Sequence, residues 1–491
     1  MTATIRHDGR EKVTGIGRYT ADLTLTGLLH GRFKYAETAH ARILRLDTSK
    51  AKALPGVFAV ITAADVPDVR HGLFVKDRSL FARDVVRWEG EVVAAVAALT
   101  PAIARAALDL IEVDYEPLPA MTDLEAAMRP DAPLVHEGWQ DYETDENLVH
   151  DRNVASRSGI VKGDTDAAMA AADVVVKGRY VADGSQAAPI EPRAIMAEWQ
   201  VDRVTIWSST QVPFAARDLV CETLGLPSHK VRVLVTHLGG GFGGKCEGHF
   251  EPHVAALARA AGRPVKVVFS RREEFVAPDH RRERMILDLE TGVRRDGTIL
   301  ARRARLVFDN GAYSADEPYI TQMALQFTAG PYRIPNVELW GHCVYTNTQP
   351  SGSVRAPGAP TVAWAVEQHM DEIATAIDLD PVELRRRNLL RDGDESATRQ
   401  VMTEIRALET LESAVSAIGY GRPLPEGEAI GIACGWWPSF PMASGAYVKL
   451  NKDGSGTVVT GAQECGTGAV MTLPILAAEV LGMKPEDFSI V

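Results

Sequence analysis

One glycine-rich segment, Leu238-Gly-Gly-Gly-Phe-Gly-Gly-Lys245, constrains the local fold of this chain more than any other feature. It has five glycines in six positions, continues the apolar run VRVLVTHL and precedes a helix-like stretch. Glycine adopts backbone angles that other residues avoid, so the segment can turn tightly and present N–H groups to an anion or an oxo group. A flexible hairpin is the alternative, because a glycine-rich loop alone is a weak signal.

The same segment also matches the spacing of a nucleotide-binding P-loop. Gly239 and Gly244 are separated by four residues, and Lys245 follows directly. A P-loop needs a Ser or Thr hydroxyl for Mg²⁺ at the next position, where this chain has Cys246. The strand-rich pattern of the remaining chain also disfavours a doubly wound ATPase, so a P-loop-like nucleotide-binding protein is kept only as an alternative.

Length and composition restrict the class of protein further. A chain of 491 residues predicts two or three domains, and a formal charge of −12 argues against nucleic acid or an anionic membrane as the main partner. The five cysteines are scattered without a CxxC pair, which indicates neither a disulfide framework nor an iron–sulfur cluster held by this chain. No membrane span and no secretory signal is predicted, so a cytoplasmic protein is expected.

The periodicity along the chain predicts an α+β fold. The first part mixes strands with helices such as 101–111, and from about residue 155 short strands dominate, interrupted by helices at 213–224 and 363–376. Residues 136–153 have little apolar periodicity and are expected to be a linker. Arg385–Arg387 are expected to form a solvated helix end.

Short motifs in the chain follow one another in the order of a known family. From the amino end they are Asp8–Gly15, Val86–Glu91, Ala187–Pro192, Trp207–Gln211, the glycine-rich segment, Asp309–Tyr313, Pro331–Asn336, Ser353–Gly358 and Gly466–Gly468. With these motifs the chain resembles the molybdenum-cofactor-binding subunit of the xanthine dehydrogenase/aldehyde oxidase family. It is most similar in kind to the large molybdopterin subunit of split enzymes such as nicotinate dehydrogenase.

The resemblance implies a domain plan and a cofactor site. It predicts an α/β hammerhead domain at 1–138, a first molybdenum-cofactor-binding domain at 150–400 and the start of a second at 420–491. It implies that Gln211 donates a hydrogen bond to an oxo ligand, that Phe242 lies beside the molybdenum and that Arg355 stabilises negative charge. Further cofactor contacts are implied for Gly240, Gly241, Gly243, Gly466, Thr467 and Gly468. Each of the three has an alternative role without a cofactor. Gln211 could bond backbone groups at a strand end, Phe242 could be an ordinary core aromatic residue, and Arg355 could be a surface residue in a turn.

Departures from the family's pattern narrow the range of expected substrates. The implied substrate pocket contains Cys246, Met323, Ala356 and Pro357. Purine-oxidising members have Glu and Arg at the first two of these positions, and carbon-monoxide-oxidising members have Cys at the third, so neither substrate is expected. Ala188 also stands where the family often has His. The family's base, a Glu in a Gly-x-Gly-Glu context, falls beyond the equivalent of residue 491, so a separate subunit or a truncated chain is expected.

The polar residues after the glycine-rich segment offer a possible metal site that is not predicted to be one. Glu247 and Glu251, and also His249 and His253, are four residues apart, but Pro252 interrupts the helix between them. These residues are therefore expected at a helix start and on the surface. The molybdenum itself would be held by pterin sulfurs, so no protein ligand to a metal is predicted.

The function implied by the resemblance is that of a molybdenum hydroxylase subunit. Such an enzyme oxidises an N-heterocycle or an aldehyde with water-derived oxygen, using molybdopterin dinucleotide, in the cytosine form. The implied partners are a second molybdopterin-binding subunit, a 2Fe-2S subunit and an FAD subunit. A catalytically inactive cofactor-binding or scaffold chain is the alternative from another class.

Overall fold

The computed structural model describes residues 9–247, 249–278, 280–438 and 444–490. The strands are β1 (Leu29–Tyr35), β2 (Ala41–Asp47), β3 (Val57–Thr62), β4 (Val85–Val86), β5 (Val92–Ala98), β6 (Glu112–Pro117), β7 (Val154–Lys162), β8 (Val174–Ala182), β9 (Ser185–Gln186), β10 (Ala194–Gln200), β11 (Arg203–Ser208), β12 (Val231–Leu234), β13 (Val265–Val268), β14 (Arg281–Arg282), β15 (Met285–Val293), β16 (Ile299–Gly311), β17 (Asn336–Tyr345), β18 (Ala446–Leu450), β19 (Gly456–Thr460) and β20 (Phe488–Ile490). The helices are α1 (Gly9–Thr14), α2 (Ser49–Ala53), α3 (Pro101–Asp109), α4 (Leu124–Ala127), α5 (Thr165–Ala170), α6 (Pro213–Leu224), α7 (Glu251–Ala261), α8 (Arg271–Val276), α9 (Glu317–Ala329), α10 (Ala359–Ala376), α11 (Pro381–Asn388), α12 (Ala407–Ile418) and α13 (Ala469–Leu481). Helices and sheets are mixed throughout, as the sequence predicts.

A seven-stranded sheet joins the amino-terminal part of the chain to the part that carries the glycine-rich segment. Its strand order is β12-β11-β10-β13-β1-β5-β3, and β1 pairs in parallel with β13, so that Leu29 lies opposite Val265. Apolar side chains drive this pairing, because Phe33, Phe250 and Phe269 pack around one point, with ring centroids 4.9–6.0 Å apart. The sheet therefore crosses the predicted boundary between residues 138 and 150, and edge strand β12 leads directly into the glycine-rich segment.

A second sheet, in the order β7-β17-β16-β15-β8, forms the centre of the next layer. Strand β16 pairs in parallel with β17 and antiparallel with β15. Helices α9 and α10 cover one face, and the side chains between them belong to one cluster that includes the fully buried Leu306, Phe308 and Leu339. This layer fixes the segments before α9 and α10, which reach toward the glycine-rich segment.

Two expectations about segments outside the glycine-rich loop are wrong. The side chain of Arg385 is not solvated: it is completely buried, and its Nε donates to Glu367 Oε2 at 2.8 Å. Only its neighbours Arg386 and Arg387 are partly exposed. The segment 136–153 is also more than a linker, because His136 is 1% exposed and packs its ring against Tyr313 and Tyr345. Both errors arise because the burying partners are distant in sequence.

The carboxyl-terminal unit, residues 444–490, is a small sheet in the order β18-β19-β20 with α13 beside it. Helix α13 leads into the short strand β20, and Val491 lies outside the described residues. Helix α12 lies in the stretch between the end of the first predicted cofactor-binding domain, residue 400, and the start of the second, residue 420. Among the described residues, none of the helices is long and apolar enough to cross a membrane.

Candidate active site

The glycine-rich loop, residues 238–245, folds back on the segment 353–355. Gly240 and Gly243 adopt φ values of +91° and +90°, and Phe242 between them has φ 54°. A Cβ on Gly243 would lie 2.1 Å from the carbonyl oxygen of Ser353, so no other residue fits there. The backbone N–H of Arg355 donates to the carbonyl oxygen of Phe242 at 2.8 Å. The two predicted site segments are therefore in direct contact.

Gln211 is fixed against the same loop by three hydrogen bonds. Its backbone N–H donates to the Lys245 carbonyl at 2.9 Å, and its Oε1 accepts from the N–H groups of Gly243 and Lys245 at 3.0 and 3.3 Å. A Cβ on Gly241 would come within 2.2 Å of that Oε1, which explains a second glycine. Because the amide oxygen is occupied, the Nε2 group is left as the donor that Gln211 can offer to a ligand.

A buried ion pair supports the loop from behind. Lys245 is 1% exposed, and its Nζ lies 2.8 Å from Glu191 Oε2, which also accepts from the N–H of Gly239 at 2.8 Å. Burial lowers the pKa of Lys245, and the neighbouring Glu191 carboxylate opposes that change. A P-loop lysine must reach phosphates, whereas this one is enclosed and already paired, so the geometry disfavours the nucleotide-binding alternative.

The segment around Arg355 is held in an unusual backbone conformation. Ala356 has φ 58° and Gly358 has φ 70°, directly before the first turn of α10. Arg282 stabilises it by donating to the carbonyl oxygens of Val354 and Arg355 at 3.1 and 2.7 Å. Positive φ in a residue other than glycine is costly and is concentrated at functional sites. The Arg355 side chain is exposed and free to face a ligand.

Three titratable groups meet below this segment. One ligand atom from each of Glu247, His280 and Asp316 lies within 4.8 Å of the others. Asp316 also accepts hydrogen bonds from the N–H and Oγ of Ser353, which fixes it under the Arg355 segment. Burial, and then the charge of Asp316, raises the pKa of Glu247 to about 8, and burial lowers the pKa of His280 to about 4. The group could accept N–H donors or hold a cation.

A cavity of about 290 Å³ opens beside the loop. Its lining comes from a segment before β4, from α6, from Glu247 and from the turn before α9. The lining residues are His71, Gly72, Leu73, Arg78, Ala215, Asp218, Leu219, Glu222, Glu247, Ser314 and Ala315. A cavity of this size suits a small molecule.

The carboxyl-terminal unit contributes a second glycine loop near the first. Glu464 Oε1 accepts from the N–H groups of Gly466 and Gly468 at 2.8 and 3.1 Å. A Cβ on Gly461 would lie 2.3 Å from the ring of Phe214, so the unit contacts α6. Burial raises the pKa of the Cys246 thiol to about 12, and the charges of Asp316, Glu247 and Cys465 act in the same direction. The region around residues 464–468 therefore approaches the glycine-rich loop.

The predicted site residues are not all in one place. Gln211, Phe242 and Arg355 come together, with Ala356 and Pro357 directly after the Arg. Met323 is 7% exposed on α9 and lines a different cavity, of about 500 Å³. Its place in the substrate pocket stays a prediction.

Some residues of the site escaped sequence reasoning. Glu191 was noted only as part of a motif, and the pairing of Lys245 was not foreseen. His280 and Asp316 carry no sequence signal, since each stands alone in a polar stretch far from Glu247. The expectation that the polar residues after the loop lie on the surface is wrong: His249, Glu251 and His253 are 7%, 4% and 3% exposed. Glu251 accepts from Ser208 Oγ at 2.6 Å and His253 contacts the Leu80 carbonyl, and Pro252 lies in the first turn of α7 without interrupting it.

Comparison with known proteins gives the family of this chain. The family model described as "Aldehyde oxidase and xanthine dehydrogenase, a/b hammerhead domain" matches residues 14–119, and models of a molybdopterin cofactor-binding domain match 147–389 and 421–491. The nicotinate dehydrogenase large molybdopterin subunit of Eubacterium barkeri is 34% identical over 423 residues, covering 85% of this chain and 96% of that subunit.

This chain belongs to the xanthine dehydrogenase/aldehyde oxidase family of molybdopterin-binding subunits.

Other family members cover nearly the whole chain but are longer than it. A probable xanthine dehydrogenase subunit from Bacillus subtilis (strain 168) is 33% identical over 500 residues, which are 99% of this chain and 65% of that protein. The crystal structure of the aldehyde oxidoreductase from Desulfovibrio gigas has a TM-score of 0.89 and 30% identity, covering 99% of this chain and 55% of that one. The predicted family and the predicted hammerhead and cofactor-binding folds are thus confirmed.

Proposed function

We propose that this chain is the cofactor-binding subunit of a molybdenum hydroxylase that oxidises an N-heterocycle or an aldehyde with water-derived oxygen. The observation that carries the proposal is the backbone of the glycine-rich loop. Within the described residues, the N–H groups of Gly240, Gly241 and Phe242 make no hydrogen bond. Consecutive free N–H groups bind anionic or oxo groups. The loop needs glycine there because a Cβ on Gly240 would lie 2.9 Å from the Phe242 ring and a Cβ on Gly241 would lie 2.2 Å from the Gln211 amide oxygen. A molybdenum–pterin cofactor, rich in such acceptors, fits this cradle.

When bound, the cofactor supplies the oxidation of a substrate carbon and takes up its electrons. The chain's own residues bind the cofactor and orient the substrate. Gln211 offers a neutral Nε2 donor, which adds no charge beside a metal–oxo group. Phe242 is 42% exposed and provides an apolar wall for a ring. The exposed guanidinium of Arg355 can stabilise negative charge that develops on the substrate.

The second glycine loop is the proposed contact for the pterin dinucleotide. The N–H and hydroxyl groups of Thr467 have no hydrogen-bond partner in the part of the chain that is described. At the start of α13 the N–H of Val470 already donates to Glu464 Oε2 at 3.2 Å, so Thr467 is the group that the loop offers to the dinucleotide. We expect the cytosine dinucleotide, so that hydrolysis of the cofactor releases CMP.

A partner chain is the proposed cover for the carboxyl-terminal unit. Its apolar surface includes Tyr447, Leu450 and Val480, which are 79%, 56% and 86% exposed. Between sheet and helix lies an apolar groove of about 420 Å³. A patch of this kind on one unit marks a contact surface. We propose that a second molybdopterin-binding chain covers it.

Electron transfer is the proposed task of further partners. Among the described His, Cys, Asp and Glu side chains, one group could hold a metal ion, Glu247, His280 and Asp316, and it contains no cysteine. A 2Fe-2S subunit and an FAD subunit are therefore the proposed electron acceptors. The five free cysteines fit the cytoplasm, where thiols stay reduced, as the proposed compartment.

The test is isolation of the native complex, followed by metal analysis and mass spectrometry of every chain and of the released cofactor. Molybdenum, CMP and a second molybdopterin-binding chain, together with oxidation of an N-heterocycle or aldehyde, are the expected results. A molybdenum-loaded complex that oxidises neither class would favour the inactive scaffold. A chain without molybdenum would contradict the proposal.

A pair of glutamine variants locates the cofactor. Gln211→Leu removes the proposed donor and should lower molybdenum content severalfold. Gln200→Leu is the matched control, because the Gln200 side chain is exposed and donates to Glu198 on the surface. Equal molybdenum in both variants would mean that Gln211 plays no part in binding.

A further inference from the structure

Arg282 binds the segment that carries Arg355, and no step of the proposed function uses it. Its guanidinium donates to the carbonyl oxygens of Val354 and Arg355 at 3.1 and 2.7 Å, and a third carbonyl oxygen, that of Ala356, lies 3.5 Å away. Among the described residues, no other group donates to the first two carbonyls. One cationic side chain therefore gathers three successive carbonyl oxygens, which would otherwise repel one another.

The strand that carries Arg282 is fixed along both of its edges. Strand β14 pairs with β9, so that Arg282 lies opposite Ser185, and the carbonyl of Arg281 accepts from the N–H of Gly352 at 3.0 Å. The side chain of Arg281 is anchored by Asp309, which is 2.6 Å away and completely buried. The guanidinium of Arg282 therefore reaches its three carbonyl oxygens from a backbone that is itself held in place.

The backbone of Arg355 is held on both sides of its Cα atom. Its N–H donates to the Phe242 carbonyl at 2.8 Å, and its own carbonyl accepts from Arg282. The next residue, Ala356, has φ 58°, a conformation that is costly for a residue with a Cβ atom. Without Arg282, we expect Ala356 to relax toward negative φ and to turn the peptide group that joins it to Arg355. The side chain of Arg355 would then point in another direction.

We infer that Arg282 is a positioning residue, which acts through Arg355 and does not itself touch the substrate. It holds the segment in its strained conformation and so keeps the exposed Arg355 guanidinium beside the proposed cofactor cradle. The inference rests on the proposed function, because that function gives Arg355 the task of stabilising negative charge on the substrate. It adds that this task depends on a second arginine, whose own charge is directed at backbone carbonyls.

Hydrogen exchange of the native complex, read by mass spectrometry, tests the positioning without any turnover. Arg282→Met should speed exchange in the peptide that contains the Arg355 amide at least about tenfold, because charge-assisted hydrogen bonds to the segment are lost. Arg282→Lys keeps the charge but bonds fewer carbonyls, so exchange should be about threefold faster than in the natural chain. This second variant carries the test if Arg282→Met does not assemble.

Arg263→Met is the matched control for the exchange measurement. Arg263 also donates to a backbone carbonyl, that of Gly27 at 2.8 Å, but it does so on the surface before β1. Exchange in the Arg355 peptide should be unchanged in this variant. Unchanged exchange in the Arg282 variants, or an equal rise in Arg263→Met, would overturn the inference.

Steady-state kinetics on the same complexes, with quinoline as an N-heterocycle and benzaldehyde as an aldehyde, connect the position to the reaction. Arg282→Met should lower kcat at least about tenfold and change KM less than about twofold, since only charge that develops during the reaction is affected. In the Arg355→Met background, adding Arg282→Met should lower kcat by less than about a further twofold. An equal loss of kcat in both backgrounds, or a loss confined to KM, would overturn the inference. A natural complex that oxidises neither probe would count against the proposed function, whereas hydrogen exchange tests the hold of Arg282 on the segment independently.

Discussion

The two cofactor-binding units of this chain differ in how far their apolar side chains are exposed to solvent. In the five-stranded sheet, Leu306, Phe308 and Leu339 are 0% exposed and are covered by helices of the same chain. In the carboxyl-terminal unit, Tyr447 is 79% and Val480 is 86% exposed. The first unit buries its apolar side chains within the chain, whereas the second exposes an apolar surface that suits a partner. The same contrast applies to their glycine loops.

The first loop is closed by close contact and the second is open. A Cβ on Gly243 would meet the Ser353 carbonyl at 2.1 Å, while a Cβ on Gly466 would meet nothing within 4 Å. Both glycines have positive φ, so they share the backbone requirement and differ in packing alone. The first loop is therefore fixed by close packing, whereas the second is held by hydrogen bonds to the Glu464 carboxylate and has open space beside Gly466.

The largest expected effect concerns the buried ion pair in the first unit. Arg385→Met leaves the buried Glu367 with the Tyr332 hydroxyl and the Cys434 N–H as its donors among the described residues. The free energy of unfolding should fall by about 3–5 kcal/mol, measured by urea denaturation. Arg386→Met, which removes a surface pair with Glu412, should cost far less. Equal losses would mean that burial does not distinguish the two arginines.

A leucine pair tests the comparison directly. Leu339→Ala, in the closed core, should cost about 2–5 kcal/mol of unfolding free energy because it leaves a cavity. Leu476→Ala removes a side chain that is 52% exposed and should cost less than about 0.5 kcal/mol in the chain alone. With the proposed partner bound, Leu476→Ala should instead weaken association. A large loss for Leu476→Ala in the isolated chain would contradict the contrast.

The closed unit should also respond to pH through Glu283. Burial raises the pKa of this fully buried carboxyl to about 7. The folded state therefore holds a proton that the unfolded state releases at lower pH, so the contribution of Glu283 is present in acid and lost as pH rises through 7. Glu283→Gln should gain stability relative to the natural chain between pH 5 and 8, by roughly 3 kcal/mol at most. A difference in stability between Glu283→Gln and the natural chain that does not change with pH, measured by thermal unfolding, would contradict this prediction.

The smallest expected effect is the difference in stability cost between an alanine substitution in the first glycine loop and one in the second. Gly243→Ala combines an unfavourable φ with the clash at Ser353 and should cost about 2–3 kcal/mol. Gly466→Ala carries the φ cost alone, about 1 kcal/mol. The melting temperatures of the two variants provide the measurement, and indistinguishable values would show that the first loop is not held by close contact.

Local features of this fold were readable from the sequence. Helix α6 has the predicted bounds because Pro213 occupies its first turn and Gly225 ends it with φ 65°. The glycine-rich loop was recognised because its requirement lies within eight residues. Gln211, Phe242 and Arg355 were named from the family resemblance, and the structure places them in contact through the same loop.

Features set by distant partners were not readable. The sequence near Arg385 does not indicate its buried ion pair with Glu367. The sequence near His136 does not indicate the two tyrosine rings that pack against it. The pairing of β1 with β13 joins residues more than two hundred positions apart. Asp316 and His280 meet Glu247 only because two layers of the fold converge there. Periodicity reports the face of an element and cannot report which element will cover it.

The central claim is that the glycine-rich loop, Gln211 and the Arg355 segment surround one molybdenum centre. Diffraction from crystals of the native complex on both sides of the molybdenum K edge tests it most directly. The account predicts one anomalous peak beside the Gln211 amide and the N–H groups of residues 240–242. A peak at Glu247, His280 and Asp316, or none in a complex that contains molybdenum, would contradict it.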